Sequence, residues 1–398
     1  MPPSKPKVRS VSMLKYLFKI ETLIATCLVF IIIGLLSLIP LNMHFFDPKE
    51  IGAKDFDYSD LPYNLLSKYK NVPVDTGIVI VNIGNSDRKG IANILNKVIS
   101  FHPKVIGTDI LFDHPKKGIA DSLLKNIFKA HPEIILGWQV TPDKLVTNYF
   151  AGERNATGYV NFALENQNVI RDFSPFVTIN GKEYLSFDAA IIKQADKNKF
   201  EELANRKNET EIINYTRAED KFIVLNGTDS TKDFSILKNK IVLMGYVSPQ
   251  YNIEDKHFTP LNPKFTGKGV PDLNGVFIHA NIISMAMDDN YVHRTSALFN
   301  WCLAFVLCWL HMAFFISYYI EKHIWFHLAV KTLQLISAVV FIYLGLLLFY
   351  KFNVQIDMAA TLVAIILAVD ILYFYEAGVV WLHHKKGYKT IFHHESSH

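Results

Sequence analysis

The amino-acid sequence predicts an α/β domain, with a mixed, mainly parallel sheet flanked by helices, joined to four transmembrane helices. Four stretches of about 20 residues are almost purely apolar. The segment between the first and the second carries dispersed charge, and short β-branched runs alternate there with segments that have apolar residues at helical spacing. With 398 residues, half of them apolar, the chain is long enough for one such domain and the membrane segments together.

The four apolar stretches comprise residues 23–41, 297–320, 332–350 and 358–380. Each is close to the roughly 20 residues that a helix needs to cross a hydrocarbon core about 30 Å thick. We interpret the first as an uncleaved signal anchor, because a cleavable signal peptide has a shorter apolar region and a small-residue cleavage site. Buried helices of a soluble core are the alternative, but such long charge-free stretches are rare in soluble proteins.

Basic residues indicate the orientation of these helices. They occur before the first stretch, at Lys322 and Lys331 between the second and third, and after the fourth. If all four stretches span, these residues lie on one side, which the positive-inside rule identifies as the cytoplasm. We therefore expect residues 1–22 and 381–398 to be cytoplasmic and residues 42–296 to form an extracytoplasmic domain.

The charged segment has the pattern of alternating strands and helices that builds a parallel sheet. Buried strands are predicted at residues 77–83, 105–112, 134–138 and 240–246, and helices at 91–99, 120–130 and 275–287. The middle is less regular, with strand-like runs at residues 158–162, 176–179 and 222–225 around a helical segment at 187–194.

Composition and motifs exclude several functions. The formal net charge is only +4, and no periodic basic face indicates nucleic-acid binding. The three cysteines, Cys27, Cys302 and Cys308, all lie in apolar stretches. The sequence contains no phosphate-binding glycine motif, nucleophile elbow, zinc-protease motif or EF-hand loop, so we expect neither a cofactor nor a metal ion.

Six stretches occur in a characteristic order: IVIVNIG (78–84), PKVIGTDILFD (103–113), GYVNF (158–162), LKNKIVLMGY (237–246), DKHFTPL (255–261) and GVFIHANIISMAM (275–287). Together they resemble the CHASE2 extracellular sensory domain of bacterial receptors, which is usually followed by three transmembrane helices. The resemblance implies a sensor in the bacterial cytoplasmic (inner) membrane. Asn82, Gly84 and Asn85 stand where the family usually has acidic residues. Because only a short segment follows the fourth span, we do not expect the family's usual catalytic output domain here.

A ligand site is predicted from polar residues near the ends of strands. Asp109 and Asp113 lie at and just beyond the carboxyl end of the second strand, where open α/β sheets place their ligand crevice. The other candidates lie in two of the stretches that match the family: Asp255, His257, Thr259 and His279. Carboxylates and imidazoles could bind a cation or a polar ligand, whereas the alternative is that each residue has a separate structural role.

The fourth apolar stretch contains a carboxylate, Asp370, inside the predicted span. An ionisable group there needs a partner or water. His311 of the second span lies at a similar predicted depth, and we therefore expect His311 and Asp370 to face each other as an intramembrane polar pair.

These observations favour a non-enzymatic sensor that is embedded in the lipid bilayer, binds an unknown small-molecule or protein stimulus and acts through a separate signalling partner. A homo-oligomer is compatible with the sequence. The main alternative is a structural or assembly subunit of a membrane complex, and a further alternative is a tethered hydrolase that uses Asp109, Asp255 and His257.

Overall fold

The computed structural model describes residues 13–38, 60–64, 72–116, 118–140, 145–152, 155–162, 169–249, 252–253, 255–262, 269–321 and 326–392. The chain divides into two compact units, Asp47–Val292 on the one hand and Met1–Phe46 with His293–His398 on the other. We refer to them as the α/β unit and the helical unit.

The described elements are numbered in chain order. The helices are α1 (Met13–Leu17), α2 (Ile20–Ser37), α3 (Leu61–Asn64), α4 (Arg88–Ser100), α5 (Ile119–Ala130), α6 (Phe187–Ala195), α7 (Lys197–Asn205), α8 (Gly275–Met287), α9 (Ala297–Glu321), α10 (Phe326–Phe352) and α11 (Ala359–Lys386). The strands are β1 (Asp75–Asn82), β2 (Val105–Thr108), β3 (Ile135–Val140), β4 (Leu145–Val146), β5 (Thr157–Tyr159), β6 (Asp172–Phe173), β7 (Phe176–Ile179), β8 (Lys182–Leu185), β9 (Glu211–Ile212), β10 (Phe222–Asn226), β11 (Ile241–Gly245), β12 (Lys256–His257), β13 (Leu273–Asn274), β14 (His293–Arg294) and β15 (Val354–Gln355).

A seven-stranded sheet organises the α/β unit. Its strands follow the order β10-β1-β11-β2-β3, and beyond β3 lie β5, which is parallel to it, and the short antiparallel β4. The central strands are buried on both faces, which explains their continuous β-branched sequences, such as Ile78–Val81 in β1. The predicted fold class, a mixed and mainly parallel sheet flanked by helices, is confirmed.

Helices cover the sheet because their sequences provide one apolar face and a defined start. In α4, Ile91, Ile94, Leu95 and Val98 are buried, and the side chain of Asp87 caps the first turn by accepting from the Gly90 N–H at 2.8 Å. In contrast, α8 is buried on all sides from its first residue to Ala286, as expected of a helix that is apolar all round.

One strand prediction needs correction. Residues 105–112 were expected to form one strand, but β2 ends at Thr108, and the chain then leaves the sheet. The carbonyl groups of Ile110 and Phe112 accept bonds from the Asn148 side chain and the Tyr149 N–H, which hold this segment in a loop. The run at 176–179 forms a strand as predicted, β7, which pairs with β8 in a separate hairpin.

Four helices of the helical unit, α2, α9, α10 and α11, are long and apolar enough to cross a membrane. The predicted spans overlap them but differ at the ends: α2 begins three residues earlier than predicted, at Ile20, α10 extends over Phe326–Phe352, and α11 continues to Lys386. Residues 39–41 of the first predicted span lie outside the described residues. Gly387, at φ 69°, ends α11 in the left-handed conformation that glycine adopts readily.

Polar contacts fix the packing inside the helical unit. The Gln334 side chain of α10 donates to the carbonyl oxygens of Ile365 and Ile366 in α11, at 2.8 and 3.1 Å. Beyond Gly387 the chain folds back, so that the Ile391 N–H donates to the buried Glu21 carboxylate of α2, and Phe392 is buried. This part of the tail is packed against the helices.

Candidate functional site

The candidate site lies at the carboxyl edge of the parallel sheet. Asp109 follows β2 directly, and its N–H still donates to the Met244 carbonyl of β11 at 2.8 Å. This bond fixes the backbone of Asp109 next to the end of β11. Ligand crevices of open parallel sheets occur at this edge, outside the carboxyl ends of the strands.

Three side chains from separate segments converge on Gly275, the first residue of α8. A Cβ atom placed on Gly275 would lie 3.7 Å from Asp109 Oδ2, 3.8 Å from His257 Nε2 and 3.8 Å from Phe162 Cε2. Glycine therefore leaves open the space between a carboxylate and an imidazole. We call Asp109, Phe162, His257 and His279, together with Gly275, the Gly275 cluster.

His279 lies one helical turn after Gly275 and is held by a buried carboxylate. Its Nδ1 is 2.9 Å from Oδ1 of Asp188 on α6, and the two side chains are only 2% and 3% exposed. The His279 ring packs against Phe162, with the ring centroids 4.6 Å apart, and its other ring neighbour is Phe187 at 5.1 Å. Because Ser186 caps α6 by accepting from the Ala189 N–H, Asp188 has a fixed position in the first turn.

The protonation equilibria of the two histidines are shifted in opposite directions. Burial alone would lower the pKa of His279, but the charge and hydrogen bond of Asp188, aided by Asp109, outweigh burial and raise it. The pKa of His257 is lowered, by burial and by the nearby His279. His257 is therefore favoured as a neutral imidazole beside a histidine that is favoured as a cation.

Asp109 has a carboxylate without a fixed partner. Among the described residues, no hydrogen bond to its side chain occurs, and the residue is partly buried. Burial raises the pKa of Asp109, the positive charge of His279 lowers it, and the negative charge of Asp188 raises it further. A partly accessible, unbonded carboxylate next to a neutral imidazole can accept hydrogen bonds from a ligand.

The structure brings together some of the residues that the sequence singled out. Asp109, His257 and His279 belong to the cluster, and Asp255 lies close enough for its charge to raise the pKa of His279. These residues therefore lie close together, as expected from the sequence, and their role in ligand binding stays a prediction.

Asp113 and Thr259 lie outside the cluster, and their assignment as ligand-binding residues stays a prediction. Asp113 is exposed, and its carboxylate is 2.5 Å from Nδ1 of His114, because the chain has already left the sheet after Thr108. Thr259 is buried, and its Oγ1 and N–H both donate to the Asp272 carboxylate, at 2.5 and 2.9 Å. Its hydroxyl is thereby used within the loop.

Three members of the arrangement were missed by sequence reasoning. Asp188 is an isolated acidic residue in an otherwise apolar run, FDAAII, and that pattern could have indicated a buried charge with a partner. Phe162 and Gly275 belong to stretches that resemble the family, but only the fold shows that they meet.

The predicted intramembrane pair does not form. Helices α9 and α11 do pack together, with Cys308 Sγ 3.8 Å from the Ala364 carbonyl oxygen. However, His311 Nδ1 bonds to the Leu307 carbonyl of its own helix at 2.7 Å, while Asp370 is exposed on the surface of α11. The two residues lie at similar positions along the helices but on different faces.

A metal centre finds no support in the described parts of the chain, where no three His, Cys, Asp or Glu side chains are arranged to hold an ion.

The comparison with protein families gives a match to the CHASE2 domain over residues 31–318. This match extends from within α2 to within α9. Neither curated proteins nor solved structures give a match.

Proposed function

The chain belongs to the CHASE2 domain family, a family of sensory domains, and on that basis we propose that its α/β unit binds a small extracytoplasmic stimulus at the Gly275 cluster. The membrane helices then transmit the resulting change to a separate partner protein. The proposal includes the location: the cytoplasmic membrane of a bacterium, with both termini in the cytoplasm and the α/β unit outside.

One observation carries the proposal of a binding site. The Asp109 carboxylate, unbonded among the described residues and partly accessible, lies with the His257 imidazole around a residue that has no side chain. Ionisable groups whose pKa values are shifted by burial and specific partners are enriched at functional sites. The cluster supplies hydrogen-bond acceptors and no nucleophile with a base bonded to it, so we propose binding and not catalysis.

The position of the cluster in the chain supports a role in signalling. Gly275 and His279 both belong to α8, and only residues 288–296 separate the end of α8 from the start of α9, the second membrane helix. A ligand that shifts the start of α8 therefore acts on the segment that leads into the membrane. For such a signal, the ligand must bind with different affinities to two conformations of the protein, one with α8 in its original position and one with α8 shifted.

The test uses purified full-length protein and a panel of amines, amino acids and small sugars. A compound present at 100 times its dissociation constant stabilises the folded state by about 2.7 kcal/mol. For a unit of this size that corresponds to a rise in melting temperature of roughly 5–11 °C. We expect a compound that stabilises the wild type to have no such effect on Asp109→Asn.

Two further variants make the test specific. Gly275→Ala should keep the fold, since its new methyl group would meet neighbours at ordinary contact distances, but should block binding by filling the space between Asp109 and His257. Asp113→Asn is the matched control, because its exposed carboxylate is outside the cluster, and it should respond like the wild type. A compound that stabilises all variants equally would place the binding site elsewhere. Absence of any ligand, with a second protein co-purifying at fixed stoichiometry, would favour an assembly subunit.

A further inference from the structure

The segment after α11 occupies a site at the end of the helical unit where α2 begins and α9 ends. Phe392 is 4% exposed, and its ring centroid lies 6.0 Å from that of Tyr319 in α9 and 6.1 Å from that of Tyr375 in α11. One residue earlier, the Ile391 N–H donates to the Glu21 carboxylate of α2, at 3.1 and 3.3 Å from its two oxygens. We call Glu21, Tyr319 and Tyr375 the tail site, and residues 390–392 the tail segment.

The tail segment satisfies the polar groups of this site incompletely. Glu21 is 4% exposed, and an ionised carboxylate can accept about four hydrogen bonds. Among the described residues, the one donor to this carboxylate is the Ile391 N–H, and no basic side chain forms an ion pair with it. The Tyr375 hydroxyl is also buried and has no hydrogen-bond partner in the described part of the chain. A buried carboxylate without an opposite charge is costly, so the docked arrangement leaves a contact that another molecule can supply.

The covalent connection to α11 explains how the tail segment can stay in place with such contacts. Gly387, at φ 69°, ends α11, and only three residues lie between it and Ile391. A segment joined to its site by a short linker is present there at an effective concentration on the order of millimolar, so weak contacts suffice. A separate molecule must therefore make stronger contacts at the tail site in order to displace it.

The unsatisfied groups define the chemistry of that molecule. It needs an aromatic side chain to take the place of Phe392 and a basic side chain to neutralise Glu21, and a guanidinium group can bond to both carboxylate oxygens. We propose that the tail site is a docking site for the partner protein, that the partner presents an aromatic side chain next to an arginine, and that the tail segment closes the site until the partner displaces it. This inference names a contact of the partner that the proposed function requires, and it therefore rests on that function.

Binding of two fluorescent peptides to the purified protein, measured by anisotropy, tests the inference. The first peptide is GYKTIF, residues 387–392 with an amidated carboxyl end, and the second carries Thr390→Arg, which adds a guanidinium group and keeps Phe392. The peptides are added to the wild type and to a truncated chain that ends at Lys389 and lacks the tail segment. Thermal unfolding checks that the truncated chain is folded. Phe392→Ala in the full chain is a second way to open the site, because it removes the ring that fills it.

We expect both peptides to bind the truncated chain at least about tenfold more tightly than the wild type, in which the tethered tail segment competes. The Thr390→Arg peptide should bind the truncated chain at least about tenfold more tightly than GYKTIF, because it pairs a charge with Glu21. Glu21→Gln in the truncated chain should abolish this gain, since the amide still accepts the backbone N–H but carries no charge. Glu201→Gln is the matched control, at an exposed glutamate of α7, and should keep the gain.

Failure of both peptides to bind the truncated chain and the Phe392→Ala chain would overturn the inference. Equal binding to the wild type would also overturn it, because the tail segment would then not close the site. A Thr390→Arg peptide that gains no affinity, or that keeps its gain with Glu21→Gln, would refute the proposed chemistry of the partner. No stimulus is added in these measurements, so a failure here is distinguishable from a failure of ligand binding at the Gly275 cluster.

Discussion

Replacing Asp188 by asparagine should destabilise the α/β unit in a way that depends on pH. The His279–Asp188 contact joins two almost fully buried side chains at 2.9 Å, and the raised pKa of His279 shows that the charged form is favoured. A hydrogen bond to a charged group contributes about 1.5–3 kcal/mol. Asparagine keeps an acceptor for the imidazole but removes the negative charge, so most of this contribution should be lost where His279 is protonated.

The pH window follows from the direction of the shift. The folded pKa of His279 is above the ordinary value for histidine, near 6.5, so the stabilisation is fully present below about pH 6.5 and is lost as pH rises through the folded pKa. At pH 6, a loss of about 1.5–3 kcal/mol corresponds to a decrease in melting temperature of roughly 3–12 °C for a unit of this size. At pH 9 the difference in the free energy of unfolding between the wild type and Asp188→Asn should be smaller than the contribution of a neutral hydrogen bond, about 1 kcal/mol.

The assay is thermal unfolding of the full-length protein, followed by intrinsic fluorescence at pH 6 and pH 9. Asp121→Asn is the control, because Asp121 is also paired with a buried cation, Arg88, at 2.7 Å. Desolvation alone would raise the pKa of Asp121, but the hydrogen bond and charge of Arg88 and the Lys116 N–H together outweigh it and lower the pKa. The contribution of Asp121 to stability is therefore lost as pH falls and not as pH rises. An Asp188→Asn effect that is the same at both pH values, or larger at pH 9, would refute a charged pair.

Three other substitutions test the surroundings of the site. Burial raises the pKa of Asp272 to about 6, so the wild type loses stability as pH rises from about 4 to above 6. In a pH series of unfolding measurements, the free energy of unfolding of Asp272→Asn should therefore rise by up to about 3 kcal/mol relative to that of the wild type over this range. A difference that does not change with pH would contradict this. Gly158→Ala would place a Cβ atom 2.5 Å from the backbone of Phe187, which cannot move aside as a side chain can. The resulting overpacking should destabilise the fold by about 1–3 kcal/mol and lower the melting temperature by roughly 2–12 °C. An unchanged melting temperature would show that α6 can move. Ser284→Ala removes the hydroxyl that donates to the Asp75 carboxylate at 2.8 Å. It should lower the free energy of unfolding by about 1–3 kcal/mol and speed up amide hydrogen exchange in α8. Unchanged exchange would show that this bond does not hold the helix.

Much of the fold could be predicted from the sequence because the signals were strong and local. Fully buried strands such as β1 and β11 read as continuous apolar runs, and α8 was predicted with the boundaries that it has, Gly275–Met287. The end of β2 could not be predicted, because the apolar pattern resumes after Asp109, at residues 110–112. Only the hydrogen bonds that Asn148 and its neighbours make to this segment explain why it leaves the sheet.

The candidate site was predicted only in part. Asp109 was identified from its position at a strand end, which is a general property of parallel sheets. Asp113 was included because it is near in sequence, but the loop directs it to the surface. Asp188 was missed because its partner, His279, is far away in sequence. The prediction that His311 and Asp370 face each other was wrong because depth in the membrane says nothing about which side of a helix a residue occupies.

We propose that the α/β unit lies outside the cytoplasm, where it can meet an external stimulus. The most direct test places single cysteines in a cysteine-free background, Lys125→Cys on the exposed face of α5 and Lys389→Cys after α11, and treats intact cells with a membrane-impermeant maleimide. We expect labelling at Lys125→Cys in intact cells, and at Lys389→Cys only after the inner membrane is opened. Labelling of Lys389→Cys but not Lys125→Cys in intact cells would place the unit in the cytoplasm and contradict the proposed topology.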